Sequence, residues 1–111
     1  MALILIDEPH PDIRVLLAAV VCRAGHAPIG EAELTEETEP ALMIVEPAYL
    51  ESLSAAVRLR RRFPKLPIIF ASIRPPEAAT KALEPVEHLL KPFRLAELEA
   101  AMAAALCARS S

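Results

Sequence analysis

A lysine and three acidic residues stand directly after apolar runs of this chain. Lys91 ends the run HLL and is followed at once by Pro92, which breaks a strand. Asp7 and Glu8 follow the run LILI, and Glu46 follows ALMIV. In open α/β sheets, sites form at the carboxyl ends of the strands. We therefore expect Lys91 to face one or more of these carboxylates, and the chemistry open to such a group is charge neutralisation.

The elements that must position these residues are strands that alternate with helices. The first helix is predicted by Pro11 in its first turn, by Gly25 at its end and by the helical spacing of Leu16, Leu17, Val20 and Val21, which are expected to face the core. On the helix at 49–63, the inward positions are expected to be Leu50, Leu53, Val57 and Phe63. Such alternation predicts parallel strands joined by right-handed crossovers. The predicted strands are 2–6, 27–30, 41–45, 67–71 and 86–90; the predicted helices are 11–24, 49–63, a short one between Pro75 and Pro85, and 94–108, while 31–40 forms one helical turn or a loop.

Length and composition indicate one ordinary domain over residues 1–111, and we expect no output domain within this sequence. The net charge is only −3 and there is no tryptophan, so we expect no nucleic-acid partner. No apolar run approaches the roughly 20 residues of a membrane span, and no signal peptide is visible. Cys22 and Cys107 are far apart, which favours two small buried or half-buried hydrophobic residues over a disulfide framework or a metal cluster. A cytoplasmic protein without a membrane partner is expected.

The strand-end residues give the chain a resemblance to the receiver domain of bacterial response regulators. Its most specific parts are Lys91-Pro92-Phe93, the HPxxRxLL run at 10–17 and the PII run before Ser72. The resemblance implies a flavodoxin-like, doubly wound five-stranded parallel sheet in the order 2-1-3-4-5. It also implies a cis peptide before Pro92.

The resemblance assigns a role to each strand-end residue. An aspartate after the third strand accepts a phosphoryl group from a histidine kinase, and an acidic pair after the first strand holds Mg²⁺. A hydroxyl and a lysine, here Ser72 and Lys91, bind the phosphoryl oxygens. These residue types suit the chemistry, because Mg²⁺ and lysine neutralise developing charge while the carboxylate is the nucleophile.

Two acidic positions depart from that pattern. Glu46 stands at the phosphoacceptor position, and its extra methylene moves the carboxylate oxygens by more than about an ångström, which near-attack geometry rarely survives. For the metal ligands, alignment from the strand gives Asp7 and Glu8. Alignment on Arg14 instead makes Glu8 the first acid and puts Pro9 on a ligand position.

Other departures surround the site. Ile73 follows Ser72 where the family prefers a small residue, and His88 replaces the tyrosine or phenylalanine whose ring changes position on activation. The segments 31–40 and 75–85 are shorter than in the family, which predicts reduced second and fourth helices.

The resulting expectation is a signalling module, not an enzyme, that is not phosphorylated at Glu46 and acts through contacts with a histidine kinase or an output protein. Glu46 and Lys91 are expected either to form a permanent ion pair that mimics an activated state or to form a partly solvated strand-end pair with no signalling role. On the last helix, the stripe of Leu95, Leu98, Met102 and Leu106 is expected to pack in the core. The alanines on its other face, Ala96, Ala100 and Ala103, would permit close approach of a partner, and a homodimer through this face is the corresponding expectation. Two alternatives are a working Mg²⁺-dependent phosphoacceptor and a flavodoxin-like domain that binds a small ligand. The chain has only two glycines and no glycine-rich phosphate loop, which argues against the small-ligand alternative.

Overall fold

Five parallel strands and the helices between them make up the computed structural model, which describes residues 1–110, with side chains through residue 107. The three central strands are runs of apolar residues, which suits strands that helices cover on both faces. The strands are β1 (Leu3–Asp7), β2 (Ala27–Ile29), β3 (Leu42–Val45), β4 (Ile68–Ser72) and β5 (Glu87–Leu90).

The strand order is β2-β1-β3-β4-β5, and every pairing is parallel. This confirms the predicted flavodoxin-like order 2-1-3-4-5. In the register, Asp7 lies beside Val45, so the residues that follow them, Glu8 and Glu46, come side by side past the strand ends. Ser72 pairs with Leu90, which brings Lys91 to the same edge.

Helices cover both faces of the sheet. They are α1 (Pro11–Arg23), α2 (Leu50–Arg62), the one-turn α3 (Ala78–Lys81) and α4 (Leu95–Ser110), with a 3-10 turn at Glu31–Glu33. The 3-10 turn and α3 are the two predicted reduced helices. One core lies between the sheet and α1 with α4, and the other lies between the sheet and α2. No helix in the described residues is long and apolar enough to cross a membrane.

Two leucines predicted to face the core are exposed. Leu16 on α1 is 45% exposed and Leu50 on α2 is 78% exposed. The buried stripe of α1 is Leu17, Val20 and Val21. Around the helix Leu16 lies about 40° beyond Val20, on the side away from Leu17 and Val21, and so falls at the margin of that stripe. On α2 the buried stripe consists of small residues and one leucine: Ser52, Ala55, Ala56 and Leu59.

The arginines near the end of α2 make intramolecular contacts. Arg58 donates to both carboxylate oxygens of Glu31 at 2.8 Å. Arg60 donates to the carbonyl oxygens of Leu66 and Leu83, and Arg62 donates to the carbonyl oxygen of Thr35. These contacts fasten the irregular segments on either side of α2 to that helix.

Gly25 ends α1 with a left-handed backbone conformation, at φ +87°. The N–H of Gly25 donates to the carbonyl of Cys22, and the N–H of His26 donates to that of Val21, which is a Schellman motif. We expect Gly25→Ala to lower the free energy of unfolding by about 1 kcal/mol, measured by urea denaturation, because a Cβ disfavours this conformation.

Gly30→Ala is the matched control for that prediction. Gly30 has φ −101°, and an added Cβ would meet only the Glu33 carboxylate, at an ordinary 3.7 Å. We expect its effect on unfolding to be within about 0.5 kcal/mol. Equal losses for the two variants would contradict the backbone argument.

Candidate functional site at the carboxyl edge of the sheet

The carboxylate of Glu46 is buried directly after β3, with only 1% of the residue exposed. Its Oε1 accepts hydrogen bonds from the N–H of Ala48 at 2.9 Å and from the hydroxyl of Ser72 at 2.8 Å. Its Oε2 accepts from the N–H of Ile73 at 3.1 Å and from the ammonium of Lys91 at 2.8 Å. A carboxylate offers about four lone-pair directions, so these four donors saturate Glu46.

Lys91 joins Glu46 to a second buried acid. Its Nζ lies 2.5 Å from Oε1 of Glu8 and 2.8 Å from Oε2 of Glu46. Glu8 is 3% exposed, and its other oxygen accepts from the N–H of His10. Lys91 is held at the end of β5 because its main-chain N–H donates to the carbonyl of Ser72, at the end of β4, at 2.8 Å. The peptide between Lys91 and Pro92 is cis.

The ionised forms of Glu46 and Lys91 stabilise each other. Burial raises the pKa of Glu46, but hydrogen bonds from Lys91, Ala48 and Ser72 and the positive charge of Lys91 together bring the pKa below its ordinary value. For Lys91, burial lowers the pKa, while the carboxylates of Glu46 and Glu8 outweigh burial and raise it. At neutral pH the site therefore holds an ammonium and the ionised carboxylate of Glu46.

Asp7 and Glu8 point to different surroundings, because successive residues of an extended chain face opposite ways. Glu8 meets Lys91, whereas Oδ1 of Asp7 accepts a hydrogen bond from the hydroxyl of Ser52 at 2.7 Å. Ser52 is buried on the first turn of α2. Sequence reasoning missed Ser52, although a polar residue within an otherwise apolar helical stripe is a usable signal.

These carboxylates do not fit a Mg²⁺ ion held as the resemblance implies. Mg²⁺ needs carboxylate oxygens free to coordinate it. Glu46 is saturated, and on Glu8 one oxygen accepts from the ammonium of Lys91 while the other accepts from the N–H of His10. Asp7 alone keeps an oxygen that accepts none from the described residues. Within the described part of the chain, no group of three or more His, Cys, Asp or Glu residues is arranged to hold a metal.

His88 fastens the loop after β4 to β5. Its Nε2 lies 2.9 Å from the carbonyl oxygen of Arg74, and a carbonyl only accepts, so Nε2 carries the proton. The ring packs edge-on against Phe70, with centroids 5.6 Å apart. Nδ1 is buried and has no hydrogen-bond partner among the described residues. The N–H of Arg74 in turn donates to the hydroxyl of Ser72, so His88 is linked through this loop to Glu46.

An open cleft of about 970 Å³ adjoins the site on its Asp7 side. Its walls include Asp7, Glu8, Arg14, Tyr49 and Arg58. Of the described residues that line it, none is Glu46, Ser72 or Lys91. The cleft is therefore next to the buried ionic cluster but separate from its centre.

No protein-family model and no curated protein matches the sequence. Solved structures do match the fold. NtrX from Brucella abortus, crystallised with ADP, gives a TM-score of 0.84 at 22% identity over 98% of this chain and 27% of its own. The signal receiver domain of a modulated diguanylate cyclase from Desulfovibrio desulfuricans G20 gives 0.81 at 21% identity, over 99% of this chain and 97% of its own.

The response regulator TrrA from Thermotoga maritima, in complex with Mg²⁺-BeF, gives a TM-score of 0.79 at 20% identity, over 96% of this chain and all of TrrA. The chain thus spans the whole of two of these structures and about a quarter of NtrX. Identities this low establish the arrangement of the backbone rather than shared chemistry. In architecture, strand order and extent, this chain has the fold of response regulator receiver domains.

Proposed function

We propose that this domain is a receiver-type module of two-component or phosphorelay signalling that works without phosphorylation at Glu46. In this proposal it is not an enzyme. It acts in the cytoplasm through contacts with another signalling protein, such as a histidine kinase or an output protein. Family membership is part of the proposal, which rests on the receiver fold together with the residues at the strand ends.

One observation carries the proposal. The hydroxyl of Ser72 and the ammonium of Lys91 are the groups that the receiver resemblance assigns to the phosphoryl oxygens. Here both donate to the carboxylate of Glu46, at 2.8 Å each. The N–H of Ile73 donates to the same carboxylate. The longer side chain of glutamate thus carries its own charged oxygens to these donors, as a built-in substitute for a phosphoryl group.

The same contacts make Glu46 a poor nucleophile. Attack on a phosphodonor needs a carboxylate oxygen with an available lone pair, aligned with phosphorus about 3–3.5 Å away. Each oxygen of Glu46 accepts two hydrogen bonds, and the residue is 1% exposed. Both properties support a site that is engaged permanently instead of being switched by phosphate.

A permanently engaged site would present one fixed surface to a partner. The connection from Glu46 through Ser72 and Arg74 to His88 supports this, because it ties the buried carboxylate to β5 at the edge of the sheet. Leu90 and Leu95, near the start of α4, are 48% and 38% exposed. A homodimer through the last helix remains part of the proposal on the strength of this exposed apolar surface.

The test is intact mass spectrometry after incubation with acetyl phosphate and Mg²⁺. We expect no phosphoryl adduct on the native chain, while a receiver domain with aspartate at this position serves as the positive control. A Glu46→Asp variant is treated in parallel: an adduct on it would identify the extra methylene as the block. A phosphoryl adduct on the native chain, mapped to Glu46, would overturn the proposal and establish the phosphoacceptor alternative.

A further inference from the structure

We infer that the ammonium of Lys91 is the resident cation of this site and that it excludes a divalent ion from between Glu8 and Glu46. The inference deepens the proposed function, on which it rests, by saying why the site works without Mg²⁺. It concerns the cation alone and makes no claim about phosphoryl transfer, so the two can be tested separately.

A metal ion on the same carboxylate oxygens would lie close to the ammonium of Lys91. Nζ of Lys91 contacts Oε1 of Glu8 at 2.5 Å and Oε2 of Glu46 at 2.8 Å. A Mg²⁺ ion bound to those two oxygens would lie about 2.0–2.1 Å from each, and hence within about 5 Å of Nζ. At that separation, in a site where Glu8 and Glu46 are almost fully buried, two cations repel each other strongly.

Hydrogen bonds from the main chain stabilise the negative charge that Lys91 does not neutralise. Two carboxylates and one ammonium have a net charge of −1. The N–H groups of His10, Ala48 and Ile73 and the hydroxyl of Ser72 all point at these carboxylates. Hydrogen bonds from fixed dipoles stabilise a buried carboxylate without a counter-ion. The cluster is therefore electrostatically satisfied by the chain itself.

Asp7, the third acidic residue at this edge, does not provide a metal site by itself. Oδ1 of Asp7 accepts the hydroxyl of Ser52 at 2.7 Å, and Asp7 lines the cleft rather than the contact between Lys91 and Glu46. One open oxygen is far short of the six ligands of Mg²⁺, most of which would have to be water. Removal of the ammonium would free a lone pair on Oε1 of Glu8 and another on Oε2 of Glu46 for a metal.

The test measures binding of the metal alone. Mn²⁺, which shares the oxygen ligands of Mg²⁺, is titrated to 1 mM into ¹⁵N-labelled protein, since a bound Mn²⁺ broadens nearby amide signals. In the native chain we expect no selective broadening of the Ala48 and Ile73 amides, and no shift of the melting midpoint in 10 mM Mg²⁺. In Lys91→Ala, which vacates the ammonium position, we expect both amides to broaden and Mg²⁺ to raise the melting midpoint by several degrees.

Lys65→Ala removes an exposed lysine and is the matched control, expected to behave as the native chain. Selective broadening of the Ala48 and Ile73 amides in the native chain overturns the inference. A folded Lys91→Ala that binds no Mn²⁺ also overturns it, because the ammonium would then not be what excludes the ion. If Lys91→Ala does not fold, Lys91→Met takes its place in the titration, and binding of Mn²⁺ by the native chain still overturns the inference. Metal binding by a native chain that takes no phosphoryl group would overturn this inference and leave the proposed function standing.

Discussion

Lys91→Met is expected to lower the free energy of unfolding by about 3–5 kcal/mol at neutral pH, because it removes one partner of a buried ionic cluster. Methionine keeps most of the side-chain volume, so the loss reports charge and hydrogen bonding. Glu8 and Glu46 would keep their burial and lose the ammonium that lies between them. Urea denaturation at pH 7 measures the change.

Lys65→Met is the control for that loss. Lys65 is exposed, so its replacement should change the free energy of unfolding by no more than about 0.5 kcal/mol. The loss for Lys91→Met should also become smaller in acid, where the abandoned carboxylates can take up protons. If Lys91→Met loses less than about 1 kcal/mol of unfolding free energy at pH 7, the ion pairs of Lys91 are as weak as exposed surface pairs, and the electrostatic argument for the site fails.

The sequence was sufficient to predict the sheet and the edge at which the site lies. Alternating strand and helix patterns determine parallel order, and strand ends determine which residues share an edge. Lys91 before Pro92 was informative because a cation at the end of an apolar strand has few structural reasons to be there. The reduced helical segments at 31–40 and 75–85 followed from their length.

Details of the site depend on side-chain direction and on the main chain, which residue types do not specify. The two alignments of the acidic pair could not show that Glu8 faces Lys91 while Asp7 faces Ser52. The N–H groups that saturate Glu46 belong to Ala48 and Ile73, whose side chains give no hint of that role. Backbone donors are placed by the loops after β3 and β4, so only coordinates show them.

The exposed leucines illustrate a second limit. Leu50 looks like a core residue by type, yet it is 78% exposed at the start of α2. Alanines and Ser52 take the core positions of that helix, because small side chains let it approach the sheet closely. Hydrophobicity alone ranks leucine above alanine for burial, and packing against β3 and β4 decides otherwise.

Glu46→Gln is expected to lower the free energy of unfolding by about 2–4 kcal/mol at pH 7, since a carboxamide cannot serve four donors. Gln carries one oxygen that accepts and one NH₂ that only donates. Each oxygen of Glu46 faces two donors, so the NH₂ would meet two donors whichever way the amide turned. Urea denaturation of the variant and the native chain across pH measures the difference.

The pH dependence of that difference follows from the direction of the shifts. The pKa of Glu46 lies below its ordinary value of 4.5 in the folded protein, so its stabilisation is complete above that value and is lost as pH falls through the folded pKa. The pKa of Lys91 lies above 10.5, so its contribution is complete below that value and is lost as pH rises through its folded pKa. The free energy of unfolding of the native chain should therefore exceed that of Glu46→Gln by the most between about pH 5 and pH 10, and the difference should shrink in acid.

Glu36→Gln, at an exposed position, is the control, and its free energy of unfolding should follow that of the native chain throughout. A gap that stays constant from pH 7 into acid would mean that Glu46 is not held ionised by Lys91, Ser72 and the main chain, and the built-in substitute for a phosphoryl group would lose its physical basis.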